Sequence, residues 1–117
     1  MQTYRGRCHC GALRYVLRSD EITAGIRCNC SICSRKGAVM SLQYYSPDDF
    51  EELQGLDRLA VYRWGDGMVN NYFCKTCGIY PFHDISGKPG HYRLNLGCID
   101  GLDPLALRIE LVDGKSF

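Results

Sequence analysis

The sequence predicts a small, mainly β domain of short strands, and three observations carry that reading. Gly, Pro and Asp punctuate the chain at short intervals and leave only brief apolar runs between them. Eight tyrosines, four phenylalanines and one tryptophan suit pleated, half-buried surfaces. Helical periodicity is scarce, and 117 residues without a linker or repeat amount to one domain, 1–117.

Taken in order, Ala12–Arg18 alternates well enough for a strand. Ser46-Pro47-Asp48-Asp49-Phe50 reads as a single helical turn, with Ser46 as cap, Pro47 in the first helical position and acidic residues at the N-terminus. Leu59–Trp64, then Gly65-Asp66-Gly67, then Met68–Phe73 reads as a hairpin closed by a glycine turn. Two more strands are expected at Tyr92–Leu96 and Leu107–Val112.

Fourteen basic and thirteen acidic residues leave a net charge of +1 with no long like-charge block, so neither nucleic acid nor an anionic membrane surface is an expected partner. The opening MQTYRGRCHC lacks an apolar run, and no stretch approaches the roughly 20 apolar residues of a membrane span. The expected setting is cytoplasmic and reducing. There, the eight cysteines read as metal ligands, with disulfides as the alternative.

Those thiols fall into three groups: Cys8-His9-Cys10, Cys28-Asn29-Cys30-Ser31-Ile32-Cys33, and Cys74-Lys75-Thr76-Cys77-Gly78. The last is a zinc-knuckle half-site, whose glycine accepts a backbone conformation other residues resist. Cys8 and Cys10, at i and i+2 of an extended segment, point to one side and would complete it. The triple Cys28, Cys30 and Cys33 then holds a metal by three thiolates and leaves one position for water or substrate, as catalytic zinc requires. Two other partitions remain: Cys28 and Cys30 with Cys74 and Cys77, or a histidine (His9, His83 or His91) closing the triple. Cys98 has no spaced partner and reads as a small buried hydrophobe.

Together, Cys-His-Cys-Gly near the start, Cys-Asn-Cys-Ser-x-Cys, Tyr-Phe-Cys-x-x-Cys-Gly-Ile at mid-chain and Asn-Leu-Gly-Cys-Ile-Asp-Gly further on resemble the glutathione-dependent formaldehyde-activating enzyme family, which includes centromere protein V. The resemblance runs from about Gly6 to Asp103. It implies an Mss4-like β-tent of short antiparallel strands with two zinc ions. By position, Cys8, Cys10, Cys74 and Cys77 match the structural ligands, and Cys28, Cys30 and Cys33 match those of a catalytic, more labile zinc. The implied activity is of the carbon-sulfur lyase type, on an adduct of a small thiol such as glutathione with a reactive carbonyl such as formaldehyde. Arg27, Arg35 and Lys36 are candidates for gripping the carboxylates of a tripeptide thiol, and Tyr80 and His83 for lining the pocket or donating a proton. The other reading is a zinc-binding interaction module without turnover.

Overall fold

The computed structural model describes residues 1–116, which form three small sheets. In the first, β1 (Gln2–Arg7), β2 (Arg14–Ser19) and β5 (Phe50–Gln54) lie in the order β1-β2-β5 with antiparallel pairing. A register shift between Val16 and Leu17 breaks the strict alternation of β2, so Tyr15, Val16 and Leu17 are all buried.

The second sheet places β3 (Ala24–Cys28) between β4 (Met40–Ser41) and β10 (Arg108–Val112). Here one pair departs from the expected antiparallel pattern: β10 runs parallel to β3, from Arg108 opposite Ala24 to Val112 opposite Cys28. Parallel neighbours need a long crossover, and nearly the whole remaining fold supplies it.

The third sheet has the order β6-β7-β8-β9: β6 (Leu59–Tyr62), β7 (Val69–Cys74), β8 (Phe82–Ile85) and β9 (Lys88–Leu94). The β6–β7 hairpin is the one expected around Gly65-Asp66-Gly67, with Tyr62 opposite Asn71 and Leu59 opposite Cys74. The expected turn after Ser46 is a 3₁₀ turn, Pro47–Asp49, closed by a capping box in which Asp49 accepts from the Ser46 amide at 2.8 Å. The strand expected to reach Leu96 ends at Leu94 instead. Asn95 accepts from the Gly97 amide at 2.9 Å and turns the chain into a 3₁₀ segment, a local bond that competes with the ladder.

One helix, α1 (Ser31–Lys36), has no counterpart in the sequence expectations. It spans six residues and buries none of them fully, so it carries no apolar stripe to betray it. Gly37, at φ 66°, ends it in the left-handed conformation while donating to Cys33 O.

Leu13, Tyr15, Leu17, Phe82, Leu94 and Leu96 form the innermost core, where burying each side chain contributes roughly 1.5–3 kcal/mol. Phe82 and Tyr92 stack with ring centres 4.0 Å apart. Paired backbone bonds between Tyr45 and Tyr92, 2.8 and 2.9 Å, stitch the chain before β5 onto β9. The buried Asp84 carboxylate is satisfied by Asn70, Tyr72 and the Gly90 amide, at 2.8 to 3.1 Å, which keeps the turn from β8 to β9 fixed.

Candidate metal centres and the adjoining cleft

Cys8 and Cys10 follow β1, and Cys74 ends β7 with Cys77 just beyond it, so each pair sits on a tight turn at a strand end. The Cys8 amide donates to Leu13 O at 3.0 Å, and the Cys74 amide donates to Ile79 O at 2.9 Å. Gly78, at φ 76°, supplies the left-handed residue the second turn requires. The four sulfurs lie within 4.8 Å of one another, with Cys8 to Cys10 at 3.7 Å and Cys10 to Cys74 at 3.6 Å. A tetrahedral zinc with bonds of about 2.3 Å needs sulfurs about 3.8 Å apart. The spacing fits that group, and it is far beyond the roughly 2.05 Å of a disulfide.

Amides also aim at these sulfurs: Leu13 at Cys8 and Thr76 at Cys74, both at 3.4 Å. Burial opposes ionisation of Cys77, yet the Ile79 and Cys10 amides and the neighbouring thiols hold it down to about 6. Cys10 is instead pushed up to about 11: the Ala12 amide lowers it, but desolvation and the Cys74, Cys8 and Cys77 thiols together outweigh that amide. It is therefore the convergence of four soft donors that makes this a cation site.

The second group gathers at the end of β3. Cys28 is its last residue, Cys30 caps α1 and Cys33 lies within the helix, and their sulfurs again fall within 4.8 Å of one another. The thiols thus divide as seven of the eight cysteines in two groups, and Cys28 and Cys30 do not share a group with Cys74 and Cys77. Neither group, among the described residues, includes a histidine nitrogen. Cys98 stands apart and is buried, its thiol pushed up to about 12 by desolvation. Three soft donors with a fourth position free suit a zinc that also takes an exogenous ligand.

A cavity of about 270 Å³ opens at this triple, lined by Cys28, Cys30 and Cys33 and by Lys36, His83 and Arg93 among others. Its floor comes from one row of the third sheet, where Asn71 of β7 opposes His83 of β8, which opposes Arg93 of β9. Directly paired residues face the same side, so three residues distant in sequence meet the thiols together. A larger cavity of about 630 Å³ adjoins it and shares Ile32, Lys36, Trp64 and Asn71 with the first.

Of the expected cationic residues, Lys36 lines both cavities and Arg35 the larger one, whereas Arg27 is exposed on β3 and lines neither. Lys36 Nζ donates to Asn71 Oδ1 at 3.0 Å and lies 3.9 Å from the centre of the Tyr80 ring. Burial pulls its pKa below the usual lysine range, against the opposing pull of the Cys33, Cys30 and Cys28 thiols. His83 is held at both ring nitrogens, Nε2 by the Tyr44 hydroxyl at 3.0 Å and Nδ1 by the Tyr80 hydroxyl. Desolvation, with Lys36 and Arg93 nearby, lowers its pKa to about 3. A neutral imidazole carries one N–H, so one tyrosine donates to the ring and the other receives from it. Tyr80 and His83 therefore stand in the cleft as expected, while Tyr44, Asn71 and Arg93 carry no local sequence signal. Trp64, the lone tryptophan, expected at the end of a strand, stands just beyond β6, 45% exposed on the cleft wall.

Residues 3–112 match the family described as glutathione-dependent formaldehyde-activating enzyme. The chain belongs to that family. A crystal structure of a Rhodobacter sphaeroides protein is similar as well, at 30% identity over 92% of this chain and 99% of its own, with a TM-score of 0.75. The family's description is of an enzyme that acts with glutathione and formaldehyde, and both cysteine groups fall inside the matched residues. No helix among the described residues is long and apolar enough to cross a membrane.

Proposed function

We propose that this chain, as a single domain of Mss4-like β-tent architecture, is a zinc-dependent enzyme of the carbon-sulfur lyase type. Its substrate is the adduct of a glutathione-like thiol with a small reactive carbonyl such as formaldehyde. The observation that carries the reading is the unequal pair of cysteine groups. Of the four thiols, Cys8 borders a cavity of about 230 Å³ beside His9 and none lines the two cavities described above, whereas all three thiols of the triple line the cavity that also holds Lys36, His83 and Arg93. Cys8, Cys10, Cys74 and Cys77 hold the structural zinc, and Cys28, Cys30 and Cys33 the catalytic one. Zinc at the triple supplies thiol activation and Lewis acidity.

The residues around it do the rest. In adduct formation the thiol sulfur bonds to the carbonyl carbon, the carbonyl π electrons move to oxygen, and the thiol proton ends on that oxygen, so no redox partner is needed. Lys36, where the two cavities meet, and Arg35, on the larger one, face the carboxylates of the thiol substrate. The larger cavity, walled by Trp64, Phe73 and Tyr80, has the size of a small-molecule site and accommodates the remainder of a tripeptide. His83, neutral and held at both ring nitrogens by phenol groups, orients the Tyr80 hydroxyl on the cleft wall, so a proton passes by way of a hydroxyl and not from a bare ring nitrogen.

Zinc-loaded protein, glutathione and formaldehyde are mixed and followed by NMR exchange spectroscopy, with Cys30→Ser as the control. Accelerated interconversion of free and adduct thiol in the wild type alone supports the reading. Equal exchange in both proteins, with two zincs counted in the wild type, identifies an interaction module instead.

A further inference from the structure

Asn29 lies between two cysteines of the triple but reaches toward the turn after β10. Its Nδ2 donates to Asp113 Oδ1 at 2.8 Å, its Oδ1 accepts from the Lys115 amide at 3.0 Å, and its own amide donates to Val112 O at 3.1 Å. Ser116 Oγ closes the turn by donating to Asp113 Oδ2 at 2.6 Å. One side chain thus grips the residue before a 3₁₀ turn, Gly114–Ser116, and the middle residue of that turn, none of whose residues is buried.

Gly114 explains where that turn is held. A Cβ at this position would overlap the Cys28 sulfur and lie 3.3 Å from Cys30 Cβ, so the bare backbone rests on the first two cysteines of the triple. The requirement is steric contact with the thiol, a different matter from the backbone freedom that Gly78 provides.

We propose that segment 113–116 is a latch behind the three-cysteine site, with Asn29 as the positioning residue that holds Gly114 against Cys28. The inference rests on the three-thiolate reading above and deepens it: with the latch closed, an incoming thiol reaches the triple from the cavity side lined by Lys36 and His83. Specificity then belongs to the cleft, because the opposite approach is filled by main chain.

The test alkylates the full chain with iodoacetamide and reads the rate at each cysteine by mass spectrometry. Asn29→Asp removes the donor and sets a carboxylate against Asp113, so Cys28 should react about tenfold faster than in the wild type. Cys98 and the four-cysteine group should keep their wild-type rates. Adding Asp113→Asn restores a donor opposite an acceptor and should return Cys28 to within about threefold of wild type. Gly114→Ala should expose Cys28 with Asn29 intact, because the added methyl lifts the turn. An unchanged Cys28 rate in Asn29→Asp overturns the latch. So does a double variant no better protected than the single one, or a parallel rise at Cys98, which marks global loosening. Zinc counted in wild type reconstituted with excess zinc judges the three-thiolate reading separately: one zinc per chain after reconstitution sinks that reading, while rescue by the charge swap still establishes the latch.

Discussion

The hydrogen bond from Lys36 Nζ to Asn71 Oδ1, 3.0 Å long, ties α1, which carries Cys33, to β7, which ends in Cys74. Both cysteine groups are thereby anchored to one strand, and the amine beside the three-cysteine group is oriented by the same sheet that shapes the cleft.

Lys36→Met keeps most of the side-chain volume and removes the charge. Glutathione should then bind about tenfold more weakly, and mercaptoethanol, which has no carboxylate, with unchanged affinity. Calorimetry with the two thiols checks this. An equal loss for both would mean that Lys36 acts on the thiol end or on packing, and no loss would remove it from the site.

Cys77→Ser should leave the chain unfolded at 25 °C. Structural zinc contributes roughly 10–16 kcal/mol in small zinc domains, more than the whole stability of about 5–15 kcal/mol such a domain has. Circular dichroism and zinc content are the measurements, and a wild-type melting curve would refute the structural role of this group.

Cys30→Ser should fold, keep one zinc and lose turnover, because the triple clips a short excursion while the four-cysteine group joins segments 64 residues apart. Mild chelation of the wild type should likewise strip one zinc well before the other. Simultaneous loss of both metals, or unfolding of Cys30→Ser, would reverse the two roles.

Acid sensitivity follows from His83. Its imidazole takes a proton near 6.5 when unfolded but only near 3 when folded, because burial and the nearby Lys36 and Arg93 disfavour the cation. Between those values the unfolded chain binds more protons, so stability rises with pH across the window and is lost on acidification. His83→Asn should flatten the dependence between about pH 6.5 and 5.5 by up to one proton, about 1.4 kcal/mol per pH unit. Chemical denaturation at a series of pH values reports the slope, and an identical slope in the variant would place the titrating group elsewhere.

The local part of this protein was written in its sequence. Cysteine spacing, the left-handed glycine at Gly78, the capping residues around Pro47 and the hairpin turn at Gly65-Asp66-Gly67 act over a few residues, so the sequence alone determined the β-rich class and the β6–β7 pairing and narrowed the division of the thiols to a few partitions, among which the converging sulfurs chose. The helix α1 escaped because six residues, three exposed and three half-buried, offer no apolar periodicity. Only the tertiary structure decided the parallel partnership of β10 with β3, the row Asn71, His83 and Arg93 facing the triple, and the seat of Gly114 on Cys28. Those relationships depend on strand register and sheet order, which are settled by packing between segments tens of residues apart, and no local preference of the chain encodes them.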